Sequence, residues 1–228
     1  MNWAPSHPLI AVISAVTSAL EPAQTAIRSA LPDAQVWNLV DDRLLTDART
    51  AGGITRRLAD RMNRLIDHAV AEQASAVLVT CSMYSDTANA RAEGDVPVLA
   101  PDDAAFDAVL AAGWHKVLLV TPLDEAMVDS RTRLARRATA SDRPLEIVGA
   151  VAGDLPEGAA RTPQSLARSL GDVIVSAGTD VDGILLGQYS LAPAAESLTS
   201  EFGIPVLSTP GCAARRLAEK LAVQGAPR

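Results

Sequence analysis

AVLVTCSMYSDTAN, from Ala76 to Asn89, and GILLGQYSLAPAAE, from Gly183 to Glu196, carry one pattern twice. Each begins with a four-residue apolar run of the kind that forms a buried strand, followed by a small or polar residue, a chemically distinctive residue and a hydroxyl-bearing turn. The distinctive residue is Cys81 in the first copy and Gln188 in the second. The pair therefore predicts an internally duplicated fold with two matching half-sites, of which one bears a thiol.

The repetition extends outward from this pair. VPVLAP from Val96 recurs as IPVLSTP from Ile204; Cys81 and Gln188 are 107 positions apart (188 − 81), and Pro97 and Pro205 are 108 apart (205 − 97). Nearly the same offset carries Ile10–Ser14 onto Val117–Thr121, and Val36–Val40 falls close to the run at Leu145. Strands are expected at Leu9–Ser14, Gln35–Val40, Ala76–Thr80, Val96–Leu99, Lys116–Thr121, Leu145–Gly149, Gly183–Gly187 and Ile204–Leu207. Helix-length segments separate them, and this alternation marks a parallel α/β architecture. Several runs are apolar at consecutive positions, as required of strands covered by helices on both faces. The fold class is thus α/β: two pseudo-symmetric parallel-sheet domains from an internal duplication. Their expected extents are 1–95 plus 208–228, the latter a final crossover helix, and 96–207. No low-complexity linker separates them, which favours a tight interface with the active site in the cleft between the halves.

The clearest helix is Ile54–Glu72, where Ile54, Leu58, Met62, Leu65, Ile66 and Val70 form one apolar stripe. Its charged residues, among them Arg56, Arg57, Asp60, Arg61, Arg64 and Asp67, read as a solvated face. Pro101 and Pro210 suit helix starts, with Asp102 and Asp103 in the first turn of one.

With 228 residues, 48% hydrophobic and 21% charged, the chain is of globular composition. A formal charge of −7 argues against nucleic acid as the partner, and no stretch is apolar enough to span a bilayer. Lys and Arg are absent before Arg28, so the basic start of a secretory signal is missing and a cytoplasmic location is expected. Two cysteines 131 positions apart (212 − 81) form neither a disulfide framework nor a zinc spacing, and both thiols should be reduced. His7, His68 and His115 are scattered without ligand spacing. Neither GxxxxGK[ST] nor GxGxxG follows the first strand, and GxSxG is missing, so no nucleotide cofactor or serine nucleophile is indicated.

Cys81 stands between a strand and a helix, in the crevice outside the strand ends where open α/β sheets bind ligands. A helix start lowers a thiol pKa, so a thiolate is expected near neutral pH. Thr80 and Ser82 add hydroxyl donors, and backbone N–H groups of the turn suit a carboxylate. Taken alone, the same residue reads equally as a buried structural cysteine. Gln188, with Tyr189 and Ser190 next, has no proton to exchange; its amide suits an oxyanion or a substrate N–H, or is an ordinary turn residue. Cys212 reads as a core thiol, with a helix-start thiol near the cleft as the alternative. Ser14 and Thr17 in one half and Thr121 in the other are hydroxyls at the ends of the leading strands, suited to a second carboxylate or amide or to turn chemistry. Asp41 and Asp42 read as caps or surface charges.

The chain resembles the aspartate/glutamate racemase superfamily, which includes glutamate, aspartate and hydantoin racemases, maleate isomerase and arylmalonate decarboxylase. The resemblance is carried by VLVTCS at Val77–Ser82, ILLGQYS at Ile184–Ser190, NLVDDRLL at Asn38–Leu45 and the repeated PVL segments. It implies cofactor-independent proton transfer at the carbon beside a carboxylate, performed in two-cysteine members by a thiol on each face. Cys81 matches the first family cysteine and Ser82 the donor after it, whereas the second cysteine falls on Gln188. This departure puts two-base racemisation in doubt, since one thiol serves one face of a carbanion. The resemblance therefore implies an isomerase acting on a small carboxylate or carboxamide through Cys81. Its alternatives are a one-cysteine decarboxylase of a malonate-type acid, a maleate-isomerase-like addition of Cys81 to a double bond, and a non-catalytic carboxylate binder. No cofactor, metal, nucleic acid or membrane partner is expected, and homodimers are common among such relatives.

Overall fold

The computed structural model describes residues 7–156 and 162–224. Eight strands are formed among them: β1 (Leu9–Ser14), β2 (Gln35–Val40), β3 (Ala76–Val79), β4 (Val98–Leu99), β5 (Lys116–Thr121), β6 (Glu146–Val151), β7 (Gly183–Leu186) and β8 (Val206–Ser208). They make two four-stranded sheets, β2-β1-β3-β4 and β6-β5-β7-β8, in which every pairing is parallel. The strand order is the same in both. It follows from the sequence repeat, because β1 and β5, and β3 and β7, start 107 residues apart.

The central strands are buried along nearly their whole length: Ile10–Ser14 and Ala76–Val79 in one sheet, Val117–Thr121 and Gly183–Leu186 in the other. Residues of both parities are therefore covered, which is why these strands read as continuous apolar runs. The covering helices are α1 (Leu20–Ala30), α2 (Arg43–Thr50), α3 (Arg56–Ala71), α4 (Ser85–Asn89), α5 (Asp103–Ala111), α6 (Asp124–Ala140), α7 (Pro163–Ala177), α8 (Ala195–Phe202) and α9 (Thr209–Gln224). α3 is capped by Thr55, whose side chain accepts from the Leu58 N–H at 3.4 Å, and it buries Leu58, Met62, Ile66 and Ala69. α7 begins with a capping box, Thr162 and Ser165 exchanging side-chain to backbone bonds of 2.9 and 3.1 Å, with Pro163 at its first position. Among the described residues, no helix is long and apolar enough to cross a membrane.

The chain divides into two units, Met1–Asp103 with Ala213–Arg228, and Ala104–Cys212. The division falls later than the expected one at 95/96. The reason is pairing: Val98 and Leu99 lie beside Val77 and Leu78, so the segment that carries β4 stays with the first sheet. Likewise Ser208 pairs with Leu186, and the chain through Cys212 counts with the second unit.

Candidate active site

In each sheet the first strand is central. The chain leaves β1 for β2 on one side and returns to β3 on the other, and β5 is left for β6 and β7 in the same way. A parallel sheet wound like this has a switch point between those two central strands, and the crevice at their carboxyl ends is where such sheets hold ligands.

In the first unit this place is occupied by Ser14, Thr80 and Cys81. The Thr80 hydroxyl donates to Ser14 Oγ at 2.9 Å, both residues being buried, and the Thr80 N–H continues the ladder to the Ile13 carbonyl at 3.0 Å. Cys81 is the last extended residue (φ −104°, ψ 116°), and a 3-10 turn, Ser82–Tyr84, closes on it through the Tyr84 N–H to the Cys81 carbonyl at 3.0 Å. Ser82 is half-buried, and its carbonyl accepts from Ser85 Oγ at 2.8 Å. Thr17 opens the 3-10 turn after β1 and is exposed.

The expected lowering of the thiol pKa is corrected here. Burial pushes the Cys81 thiol up from 9.0 to about 11, and the Asp102 carboxylate adds to the rise. The backbone N–H groups of Met83 and Tyr84, hydrogen-bonded to the thiol, and the Arg49 cation pull it down without overcoming the loss of water. At neutral pH the group is therefore S–H, a proton donor. Tyr84 is buried, and its hydroxyl donates to the Leu44 carbonyl on α2 at 3.0 Å. Its own pKa is pushed up to about 12 by burial and then by the adjacent Cys81.

In the second unit the matching place holds Thr121, Gly187 and Gln188. The backbone is repeated closely: Gly187 N–H to the Val120 carbonyl at 2.8 Å, and Leu191 N–H to the Gln188 carbonyl at 3.0 Å. Gln188 is extended (φ −145°, ψ 149°) at the start of the 3-10 helix Tyr189–Ala194; it and Ser190 are half-buried, and Tyr189 is buried. The side chains are not repeated. Position 80 corresponds to Gly187, where a Cβ would lie 2.9 Å from Leu119 Cδ1 and 3.1 Å from Thr121 Cγ2. The first unit has the smaller Val12 and Ser14 at those two places, and Thr80 reaches Ser14 there through its hydroxyl. Thr121 turns its hydroxyl instead to the Leu123 carbonyl at 3.1 Å.

Three residues near the thiol were not singled out from the sequence for its chemistry: Tyr84, Arg49 and Asp102. Asp102, whose place suggests a helix-start charge, is 1% exposed. Asp41 and Arg61 are not the free surface charges expected; they pair at 2.6 Å. Cys212 is buried against Ala104, Ala105, Phe106 and Leu185 in the second unit's core. His68 packs edge-on against Trp37, ring centroids 5.3 Å apart. Among the described residues, no cluster of three or more His, Cys, Asp or Glu side chains is placed to hold a metal ion.

The fold and its turns define a duplicated, parallel α/β protein with polar residues at two equivalent switch points. Residues 12–217 match the Asp/Glu/Hydantoin racemase family, and the chain belongs to it. An allantoin racemase from Klebsiella pneumoniae has a similar structure, with a TM-score of 0.70 and 18% identity over 96% of this chain and 89% of that one. A glutamate racemase from Bacillus anthracis gives 0.67 and 16% over 97% and 84%. Unliganded arylmalonate decarboxylase gives 0.63 and 18% over 96% and 94%. At such identities the likeness carries the fold, and the family membership rests on the family match. No curated protein sequence matches the chain.

Proposed function

We propose that this protein is a cofactor-independent cytoplasmic enzyme that transfers a proton at the carbon beside a carboxylate or carboxamide of a small molecule, with Cys81 as the catalytic group. The observation that carries this reading is the setting of Cys81: the last extended residue after β3, beside the switch point, its sulfur met by the N–H groups of Met83 and Tyr84. Ser82, Thr80, Ser14 and Thr17 are the substrate-binding hydroxyls of the first unit in this proposal. Gln188, Tyr189, Ser190 and Thr121 are the substrate-binding groups of the second in this proposal, Gln188 standing where the resemblance puts the family's second cysteine. An amide in that place orients or stabilises an oxyanion and exchanges no proton.

Isomerisation is the first form of the reaction, because the family is one of racemases. It requires Cys81 to pass through its thiolate, take the α-proton and return one. Decarboxylation is the second form, and burial, which pushes the Cys81 thiol up to about 11, suits a group that donates a proton. Loss of CO2 from a malonate-type acid leaves its electron pair on the α-carbon as an enediolate; the Cys81 S–H delivers its proton there, and the thiolate is reprotonated from water.

The test is α-proton exchange in D2O followed by NMR on aspartate, glutamate and allantoin, with CO2 release from an arylmalonate run alongside, for wild type and Cys81→Ala. Exchange lost in the variant supports the isomerase form, and CO2 release lost without prior exchange supports the decarboxylase. Turnover untouched by the substitution removes Cys81 from the mechanism.

A further inference from the structure

The first unit contains polar machinery behind its thiol. Arg61 on α3 reaches two acidic residues from different elements. Its Nε and Nη2 each lie 2.6 Å from an oxygen of Asp41, just past the end of β2, and its Nη1 lies 2.9 Å from Asp47 Oδ2 on α2. The side chains are mostly shielded, with 28% of Arg61, 14% of Asp41 and 18% of Asp47 exposed, so the pairing is stronger than that of a typical surface ion pair. One planar guanidinium thus ties α2 to β2 and α3.

What α2 then carries is directed at Cys81. Its Leu44 carbonyl holds the buried Tyr84 hydroxyl at 3.0 Å, and the Tyr84 N–H closes the turn on the Cys81 carbonyl at 3.0 Å. Its Arg49 places a cation in the field of the thiol. In the second unit, position 84 corresponds to Leu191, which is buried among apolar neighbours and bears no hydroxyl. The clamp and the tyrosine thus occur in the half that has the thiol.

We propose that Arg61 and Tyr84 are positioning residues for Cys81: Arg61 fixes α2, α2 anchors the Tyr84 hydroxyl, and Tyr84 holds the turn that keeps the sulfur at its depth beneath the N–H groups of Met83 and Tyr84. This rests on the reading of Cys81 as the proton-transfer group, but its test does not use turnover. The charged groups acting on Cys81 are Asp102 and Arg49; Cys81 in turn acts on Tyr84, as do Arg61, Asp41 and Asp47. Burial is the largest influence on the thiol, so loosening the clamp admits water and moves its ionisation toward the ordinary range.

The experiment is iodoacetamide alkylation of the full chain as a function of pH, read at the Cys81 peptide by mass spectrometry. Arg61→Met and Tyr84→Phe are each expected to lower the apparent Cys81 pKa by about one unit, giving roughly tenfold faster alkylation below it. Arg61→Lys, which keeps charge but loses the fork, falls in between. Arg137→Met breaks the Arg137–Asp107 pair of the second unit, 2.6 Å long, and leaves the titration unchanged. A Cys81 pKa unmoved or raised in Tyr84→Phe, or in an Arg61 variant that retains cooperative unfolding, overturns the proposal. Failure of the catalytic reading shows separately, as turnover that survives Cys81→Ala.

Discussion

The turn after β3 and the turn after β7 share a backbone and differ in almost every side chain that matters. Both leave the strand through an extended residue, and both close with an N–H to carbonyl bond of 3.0 Å three residues later. One presents a thiol backed by Thr80, Ser14 and Tyr84; the other presents an amide backed by Gly187, Thr121 and Leu191. The duplication has thus kept the hydrogen bonds that define the scaffold, while the groups able to do chemistry have diverged. Function in such a protein is written in side chains on a frame that is itself indifferent to the reaction.

The sharpest way to break this comparison is to delete the distinctive residue of each turn. Cys81→Ala is expected to cost about 10²–10⁴-fold in α-proton exchange, as the loss of a proton-transfer group does. Gln188→Ala, which removes one neutral hydrogen-bonding group, should cost only about tenfold. Equal losses in NMR exchange assays would mean that the two turns are chemically equivalent after all.

A second asymmetry lies at the strand beginnings. Gly183 matches Ala76, and a Cβ at Gly183 would overlap the ring of Trp114. Gly183→Ala should therefore destabilise the protein by about 1–3 kcal/mol, through overpacking that the first unit does not suffer. Urea unfolding measures it.

The thiol also makes the first unit sensitive to alkali. Its pKa is raised from 9.0 to about 11 in the folded chain, so the stabilisation is complete below pH 9.0 and is lost as pH climbs toward 11. The loss is on the order of 2 kcal/mol, and Cys81→Ser should flatten that part of the stability profile. The smallest effect is expected from Thr80→Val. It removes the 2.9 Å hydroxyl bond to Ser14, at about 1 kcal/mol in the same unfolding assay, and has no counterpart at Gly187.

The strands and their pairing into two equal sets were legible because burial on both faces leaves an unmistakable apolar run. β1, β2 and β5 have the bounds their residues suggest. β6 begins and ends later than the run at Leu145 implied, because its register with β5, Lys116 beside Glu146 through Thr121 beside Val151, sets its length. Cys81 was legible as a chemical outlier at a strand end. Its supporting residues were not, since Leu44 and Tyr84 meet across 40 positions and Arg61 and Asp41 across 20. The direction of the thiol's pKa is not legible in the sequence for a related reason. The local rule counts the N–H groups of the turn, while the dominant influence is water excluded by packing that no short window reveals.

The exchange of volume around position 80 also bears on how the two halves grew apart. Thr80 is accommodated by Val12 and Ser14, and Gly187 leaves room for Leu119 and Thr121. A threonine placed at 187 meets Leu119 and Thr121 at once, whereas trimming those two first opens a hole that the threonine then fills. The mutations are therefore order-dependent. Positions 119, 121 and 187 are therefore coupled in their effect on stability rather than additive.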